Sequence, residues 1–316
     1  KYFFLFKMKK IIITGASGFI GRSLVKKLSK DKKNFIVAID NDKRGDFKKI
    51  KNKKNILKKK ISVLSPNKLD KILKNCHACF HLAAINGTKN FYNIPKEVLE
   101  VGTEGTINII KSCIKNKVKE FILFSSSEAY QKPNFIPTSE DEVLKVPDIF
   151  NPRLSYGGSK IIGELLTVNY FRNSSTKYKI LRPHNVYGPD MGNDHVLPEL
   201  ITKIKKQKTK NKIQLEIFGS GEESRSFIYI DDAVEGICKV YRKGRKNSIY
   251  NIGTSNEIKI KDLIKLISKI IKKKIDIKKS SLHRGSVSRR CPNVTKLKKL
   301  GHKNIYSLKQ GLKMTI

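Results

Sequence analysis

"KKIIITGASGFIGRSLVKKL" (residues 9–28) passes from an unbroken apolar run through a glycine-rich turn into an amphipathic stretch. The run "KIIIT" (10–14) lacks polar alternation, as a strand covered on both faces requires. "FIGRSLVKKLSK" has helical periodicity, so Gly15, Gly18 and Gly21 fall between a strand and a helix. There, glycines serve a tight turn, close approach of backbone to a pyrophosphate, and close packing of helix on strand. The pyrophosphate would face the unpaired amides and positive end of the helix. A glycine string alone is a weak signal; the strand before it and the helix after it make dinucleotide binding the reading here. Gly15, Ser17, Gly18, Phe19, Ile20 and Gly21 are the candidate contacts.

Outward from this turn the same alternation repeats. "FIVAID" (35–40), "ACFHLAA" (78–84), "EFILFSS" (120–126) and "YKILRP" (178–183) read as further buried strands. "PNKLDKILKN", "VLEVGTEGTINIIKSCIKN" and "YGGSKIIGELLTVNYFRN" read as helices between them. Strand–helix alternation implies right-handed crossovers, hence an α/β fold: a Rossmann-type, doubly wound parallel sheet. Past residue 188 the pattern loosens into a helix, the strands "LEIF" and "SFIYI", the helix "DDAVEGICKVYR", the helix "IKDLIKLISKI" and irregular basic segments. The expected division is a nucleotide-binding domain of 8–188 plus about 226–252, and a smaller C-terminal α/β substrate-binding domain of about 189–225 plus 253–316. The second strand ends in Asp40, 19 residues beyond Gly21. A carboxylate there accepts both ribose hydroxyls and repels a 2′-phosphate, favouring NAD over NADP. The bland alternative is that Asp40 merely caps a turn, and nearby Arg44 could meet a phosphate.

Composition narrows the class. The 316 residues suffice for one large domain or two smaller ones. The net charge of +40 invites a nucleic-acid reading, but only 11 of the 67 basic residues are Arg and the lysines are scattered. That pattern suits solvated faces, and no specific nucleic-acid partner is expected. Five cysteines, an odd number without framework spacing, read as buried thiols of a reducing cytoplasm. "CHAC" (76–79) has no second pair to complete a zinc site, and no metal is expected. No stretch approaches the roughly 20 apolar residues of a membrane span, and "KYFFLF" is too short for a secretory signal. Met8 begins the first strand run, so residues 1–7 read as an upstream extension.

"YGGSK" sets Tyr156 and Lys160 four apart, on one helix face. A nearby ammonium is expected to favour the phenolate and lower the tyrosine pKa. The clustered hydroxyls of "SSSEAY" stand at the C-terminal end of a strand, where doubly wound sheets place their chemistry. With these motifs in hand, the chain resembles the extended short-chain dehydrogenase/reductases, in their NAD-dependent nucleotide-sugar epimerase/dehydratase branch. The resemblance spans residues 8–316 through "TGASGFIG", "FHLAA", "GTINII", "SSSEAY", "YGGSK", "RPHNVYGP", "SRSFIYIDDAVEGI" and "YNIGTSN". It implies a triad of Ser126, Tyr156 and Lys160, with oxidation at sugar carbon 4. It implies further cofactor contacts from Asn41, Leu82, Ala83, Ala84 and Lys160. On the sugar-nucleotide side it implies Ser126, Ser127, Asn185, Arg225 and Arg290, the arginines clamping a diphosphate. Guanidinium forks suit phosphate oxygens; ordinary surface arginines are the alternative.

Two departures stand out. Gly102 replaces the asparagine usual in the family, removing a side chain expected near the cofactor, and "KKKISVLS" lacks the acidic residue that contacts adenine. Glu128 is the open question. A 4-epimerase needs no group beyond the triad, whereas a 4,6-dehydratase or a uronate decarboxylase could use Glu128 as an acid or base. Ser127-Glu128 falls where glucose-type dehydratases carry Asp-Glu, so the partner acid is missing; 4-epimerisation stands ahead of the dehydratase and decarboxylase alternatives. His184 could touch substrate or simply pack, and His81 is expected to order backbone. Helices at about 96–116 and 156–173 carry the apolar faces that related enzymes pair in a homodimer. A noncatalytic dinucleotide- or nucleic-acid-binding scaffold is the reading from a different class.

Overall fold

Along β1 (Lys9–Thr14) the apolar run divides by strand periodicity: Ile11 and Ile13 enter one core cluster, Ile12 the other. The same split recurs in the strands beside it, with Ala78 and Phe80 on one face and Cys79 on the other. This is why these strands read as continuously apolar: both faces are covered. The computed structural model describes residues 8–192, 196–207, 212–281 and 285–316; the stretch 1–7, read above as an extension, lies outside them.

After β1 come α1 (Phe19–Leu28), β2 (Asn34–Asp40), β3 (Ile56–Lys60), α2 (Pro66–Leu73), β4 (Ala78–His81), α3 (Thr88–Asn93), α4 (Pro95–Lys115), β5 (Glu120–Phe124), α5 (Ser155–Tyr170) and β6 (Lys177–Pro183). Then follow β7 (Val186–Tyr187), α6 (Val196–Lys206), β8 (Lys212–Phe218), β9 (Ser224–Ser226), β10 (Ile228–Tyr229), α7 (Ile230–Lys243) and β11 (Ser248–Ile252). The C-terminal part holds β12 (Glu257–Lys259), α8 (Ile260–Ile271), β13 (Lys274–Ser280), β14 (Arg289–Arg290), α9 (Thr295–Lys299) and α10 (Leu308–Thr315). The central sheet has seven parallel strands in the order β3-β2-β1-β4-β5-β6-β11. Strand order reverses between β1 and β4, whose ends are in register at Thr14 and His81. A crevice for ligand opens at such a point.

Two strands of this sheet lie outside the five apolar runs. β3, "ILKKK", is an edge strand with only partial burial, where lysines suit an exposed edge. β11 closes the opposite edge by pairing with β6. The C-terminal region, expected to be irregular, is instead ordered by long-range pairing. β13 runs parallel to β8, whose Ile213, Leu215 and Ile217 are buried. β14 lies beside β9, placing Arg290 in register with Arg225. All five cysteines are buried and free. Among the described residues no helix is long and apolar enough to cross a membrane.

Candidate active site

Gly15 turns with φ +67°, and a Cβ there would stand 2.8 Å from the Ala83 nitrogen. A Cβ on Gly21 would strike the Gly15 carbonyl oxygen. The turn therefore brings bare backbone against β4 and seats α1 directly on it. No side chain caps the first amides of α1 behind Gly18, so they remain suited to an anion. Asp40 ends β2 with Oδ2 accepting from the Ser17 amide (3.0 Å) and Oδ1 from the Asp42 amide (2.9 Å). It thus braces the turn and caps a loop, yet lines the cavity with lone pairs remaining on each oxygen. The expectation for Ser17 needs correction. Its side chain is fully buried, does not line the cavity, and leaves its Oγ without a hydrogen-bond partner; only its backbone serves the turn.

One cavity of about 1280 Å³ connects the parts. It runs from Gly15, Gly18, Phe19, Ile20, Gly21, Asp40 and Asn41 past Leu82, Ala83 and Ala84 to Ser126, Tyr156 and Lys160. Ser127, Glu128, Asn185, Arg225 and Arg290 line the same cavity. Gly102 is absent from its lining, and a Cβ on it would press into Ser159 of α5. Glycine at 102 thus lets α4 and α5 approach closely at Ser159.

The β5 end places Ser126 as the cap of a short 3-10 turn, with its Oγ accepting from the Glu128 amide at 3.1 Å. Ser126 is close enough to the Tyr156 phenol to pull its pKa down. The Lys160 Nζ lies 5.4 Å from the Tyr156 ring centroid and donates to the Phe124 carbonyl at 2.8 Å. Contrary to the expected lowering, burial pushes the Tyr156 phenol above its ordinary value. Ser126 and Arg44 pull it down, and Glu128 pushes it further up. Burial likewise depresses Lys160, to about 8, against the pull of Glu164. Desolvation outweighs the neighbouring ammonium.

Glu128 receives a fork from Arg290: Nη1 to Oε1 at 2.5 Å and Nη2 to Oε2 at 3.3 Å. Arg225 donates to the carbonyls of Ser224 (2.7 Å), Ser288 (3.0 Å) and Val287 (2.5 Å). Its pKa is depressed to about 10 by burial and then by Arg290. Neither arginine is an ordinary surface residue. Asn185, with φ +40°, donates its side-chain amide to the Ser226 carbonyl at 2.9 Å. His184 is packed, its Nε2 3.1 Å from Asn251 Oδ1, and burial depresses it to about 3. His81 sits between Thr14 (2.8 Å) and Thr106 (3.1 Å), and Thr14 Oγ1 accepts from the Ala83 amide (3.3 Å), so it does order backbone.

Two residues escaped the sequence reading. Phe91 stacks on the Tyr156 ring with centroids 4.9 Å apart and planes 12° apart, which fixes the phenol's plane. No motif marks it; the contact depends on α3. Arg153 also lines the cavity, with its Nε buried and without a partner, and its charge contributes to depressing Arg225. Its place among only 11 arginines, three before Tyr156, was the available signal.

Comparison with known proteins agrees with this geometry. The model of the NAD dependent epimerase/dehydratase family matches residues 11–253. An uncharacterized UDP-glucose epimerase of Bacillus subtilis is 32% identical, covering 96% of this chain and 95% of its own. A UDP-N-acetyl-alpha-D-glucosaminuronate decarboxylase of Bacillus cytotoxicus is also 32% identical, covering 98% and 97%. The crystal structure of a UDP-glucose 4-epimerase with UDP-glucose, from Thermotoga maritima, superposes with a TM-score of 0.87 at 27% identity over 97% of both chains. A glycine turn opening onto a buried Tyr156 and Lys160 is thus explained by descent: the chain belongs to the NAD dependent epimerase/dehydratase family.

Proposed function

We propose that this NAD-dependent enzyme converts a nucleotide-diphosphate sugar through a 4-keto intermediate, with 4-epimerisation as the outcome. The observation that carries the reading is the shared cavity, whose lining joins the glycine turn, Tyr156 with Ser126 and Lys160 near it, and the arginines. The floor made by Gly15 and Gly21 and the uncapped start of α1 fit the cofactor's diphosphate, with Asp40 beside the ribose and Ile61, Ser62, Val63 and Leu64 walling the adenine end. When bound, NAD supplies the hydride acceptor and a positive charge that favours the phenolate. Tyr156 takes the proton of the carbon-4 hydroxyl, Ser126 holds that oxygen, and Lys160 stabilises the charge left on the phenol. Asn185, Arg225 and Arg290 hold the diphosphate, and segments of about 189–225 and 253–316 form the sugar-nucleotide domain.

Epimerisation is favoured because it needs no group beyond the triad, whereas dehydration needs an acid and a base and Glu128 has only Ser127, not a second acid, beside it. A second reading has its own support. Arg153, Arg225 and Arg290 around one carboxylate make this part of the cavity cationic, which suits a sugar bearing a carbon-6 carboxylate and hence decarboxylation. We also infer a homodimer through the outer faces of α4 and α5, where Leu99, Ile162, Leu165 and Tyr170 are exposed; a monomer in sedimentation would remove it. The five free thiols support a cytoplasmic enzyme. The test is incubation with UDP-, GDP-, CDP- and dTDP-sugars, products being followed by NMR. Tyr156→Phe should abolish turnover and leave NAD binding largely intact; undiminished turnover removes Tyr156 as the proton acceptor.

A further inference from the structure

Arg290 belongs to a small group of cations that the sheet pairing forces together. It stands in register with Arg225 across β14 and β9, and Arg153 contributes to the same field. Two guanidiniums side by side, largely out of water, are costly without an anion. Arg225 spends three of its five N–H donors on backbone carbonyls. Arg290 instead spends two on Glu128, with side chains 9% and 23% exposed, and its Nε is buried without a partner. Glu128 reaches it from a separate element, the turn after β5. That turn is anchored by Ser126 Oγ at the Glu128 amide and by Gln131 Nε2, which donates to the Glu128 carbonyl at 2.6 Å.

We infer that Glu128 is an internal stand-in for the substrate's oxyanion: a nucleotide sugar displaces the carboxylate from Arg290, and the released Glu128 turns towards the sugar. This inference rests on the nucleotide-sugar reading above. The exchange trades one charge-assisted fork for another, so it asks little of the protein. It also holds Arg290 extended and oriented in advance, lowering the ordering cost of binding. Its chemical consequence is coupling. The Glu128 carboxylate gains access to the sugar only when an anion has taken its place on the guanidinium. The oxyanion has two possible sources, the diphosphate or a carbon-6 carboxylate, and binding data separate them.

The experiment is calorimetric titration of the NAD-loaded protein with UDP, GDP, CDP and dTDP, then with the glucose and glucuronate conjugates of the nucleotide that binds. Glu128→Gln should tighten binding about tenfold, the size of a charge-assisted hydrogen bond gained by the ligand. In an Arg290→Gln background the same change should move affinity less than about twofold, because the contested cation is gone. A gain shared by the bare diphosphates assigns the phosphate as the competitor. A gain confined to the glucuronate conjugate assigns the carboxylate. Affinity unchanged or weakened by Glu128→Gln for every ligand overturns the inference, as does an equal gain in both backgrounds, which marks simple long-range repulsion. If circular dichroism shows that Arg290→Gln does not fold, Arg290→Lys replaces it, and the gain must shrink below that in the otherwise wild-type protein. Failure of the wild type to bind any of these nucleotides is a separate result: it removes the functional reading itself.

Discussion

Gly102 offers a measurement of how tightly the catalytic helix is seated. It lies in α4 opposite Ser159 of α5, and Ser159 sits one residue before Lys160 and three after Tyr156. A Cβ at 102 would stand 2.5 Å from Ser159 Oγ and 2.6 Å from its Cβ, inside van der Waals contact. The Ser159 hydroxyl cannot swing away freely, since it donates to the Tyr156 carbonyl at 2.8 Å and is buried. Two opposing effects set the outcome of Gly102→Ala. Helix propensity gains about 1 kcal/mol, while overpacking a close contact costs about 1–3 kcal/mol. The structure makes the second larger, so the variant should be destabilised by about 1 kcal/mol. Ser159→Gly removes both opposing atoms. In that background Gly102→Ala should recover its propensity gain and become stabilising, a coupling of about 1–3 kcal/mol. Urea unfolding followed by circular dichroism gives all four corners of the cycle. A Gly102→Ala protein stabilised by the full propensity term, with an additive cycle, would refute close seating of α5 on α4.

Two further predictions concern buried titratable groups. Burial holds Lys160 near 8 in the folded chain against an ordinary value of 10.5, so the unfolded chain binds the extra proton between those values. Stability should therefore rise as pH climbs from about 8 to 10.5, and the cost of burying the charge is complete below 8. Lys160→Met should abolish turnover yet raise stability by about 1–3 kcal/mol at pH 7 and by less at pH 10; an equal urea midpoint shift at both pH values counts against it. His81 and His184 are both depressed to about 3 by burial, from 6.5. The unfolded chain takes up these protons first, so stability present above pH 6.5 should fall by about 1.4 kcal/mol per pH unit per histidine as pH drops towards 3. Imidazole NMR signals from these two residues titrating near pH 6 in the folded protein would exclude it.

What was legible in the sequence was whatever one segment settles alone. The glycine turn announces itself because strand, turn and helix are contiguous, and the strand-end motifs carried nearly all proposed residues onto one cavity because parallel strands deliver their C-terminal ends to one edge. The errors share a cause. Ser17 stands in the right place, but a string does not say where a side chain points, and its hydroxyl is buried away from the crevice. Tyr156 has the right neighbours, but a string does not register desolvation, which here outweighs the ammonium. Contacts between distant segments were invisible in the residues themselves: Phe91 on Tyr156, and the fork joining Glu128 to a residue 162 positions later; only the resemblance had set Arg225 and Arg290 together. The division has a chemical meaning. In the proposed reaction, oxidation at carbon 4 needs only the local motifs. In the proposed chemistry the fate of the ketone depends on groups beyond the triad, and the candidate here, Glu128 in the turn after β5, is met by Arg290 from β14, which pairs with β9. Relatives of equal identity bear the names of different reactions, an epimerase and a decarboxylase, so overall likeness does not decide between them, and contacts between distant segments are where a difference has to be sought.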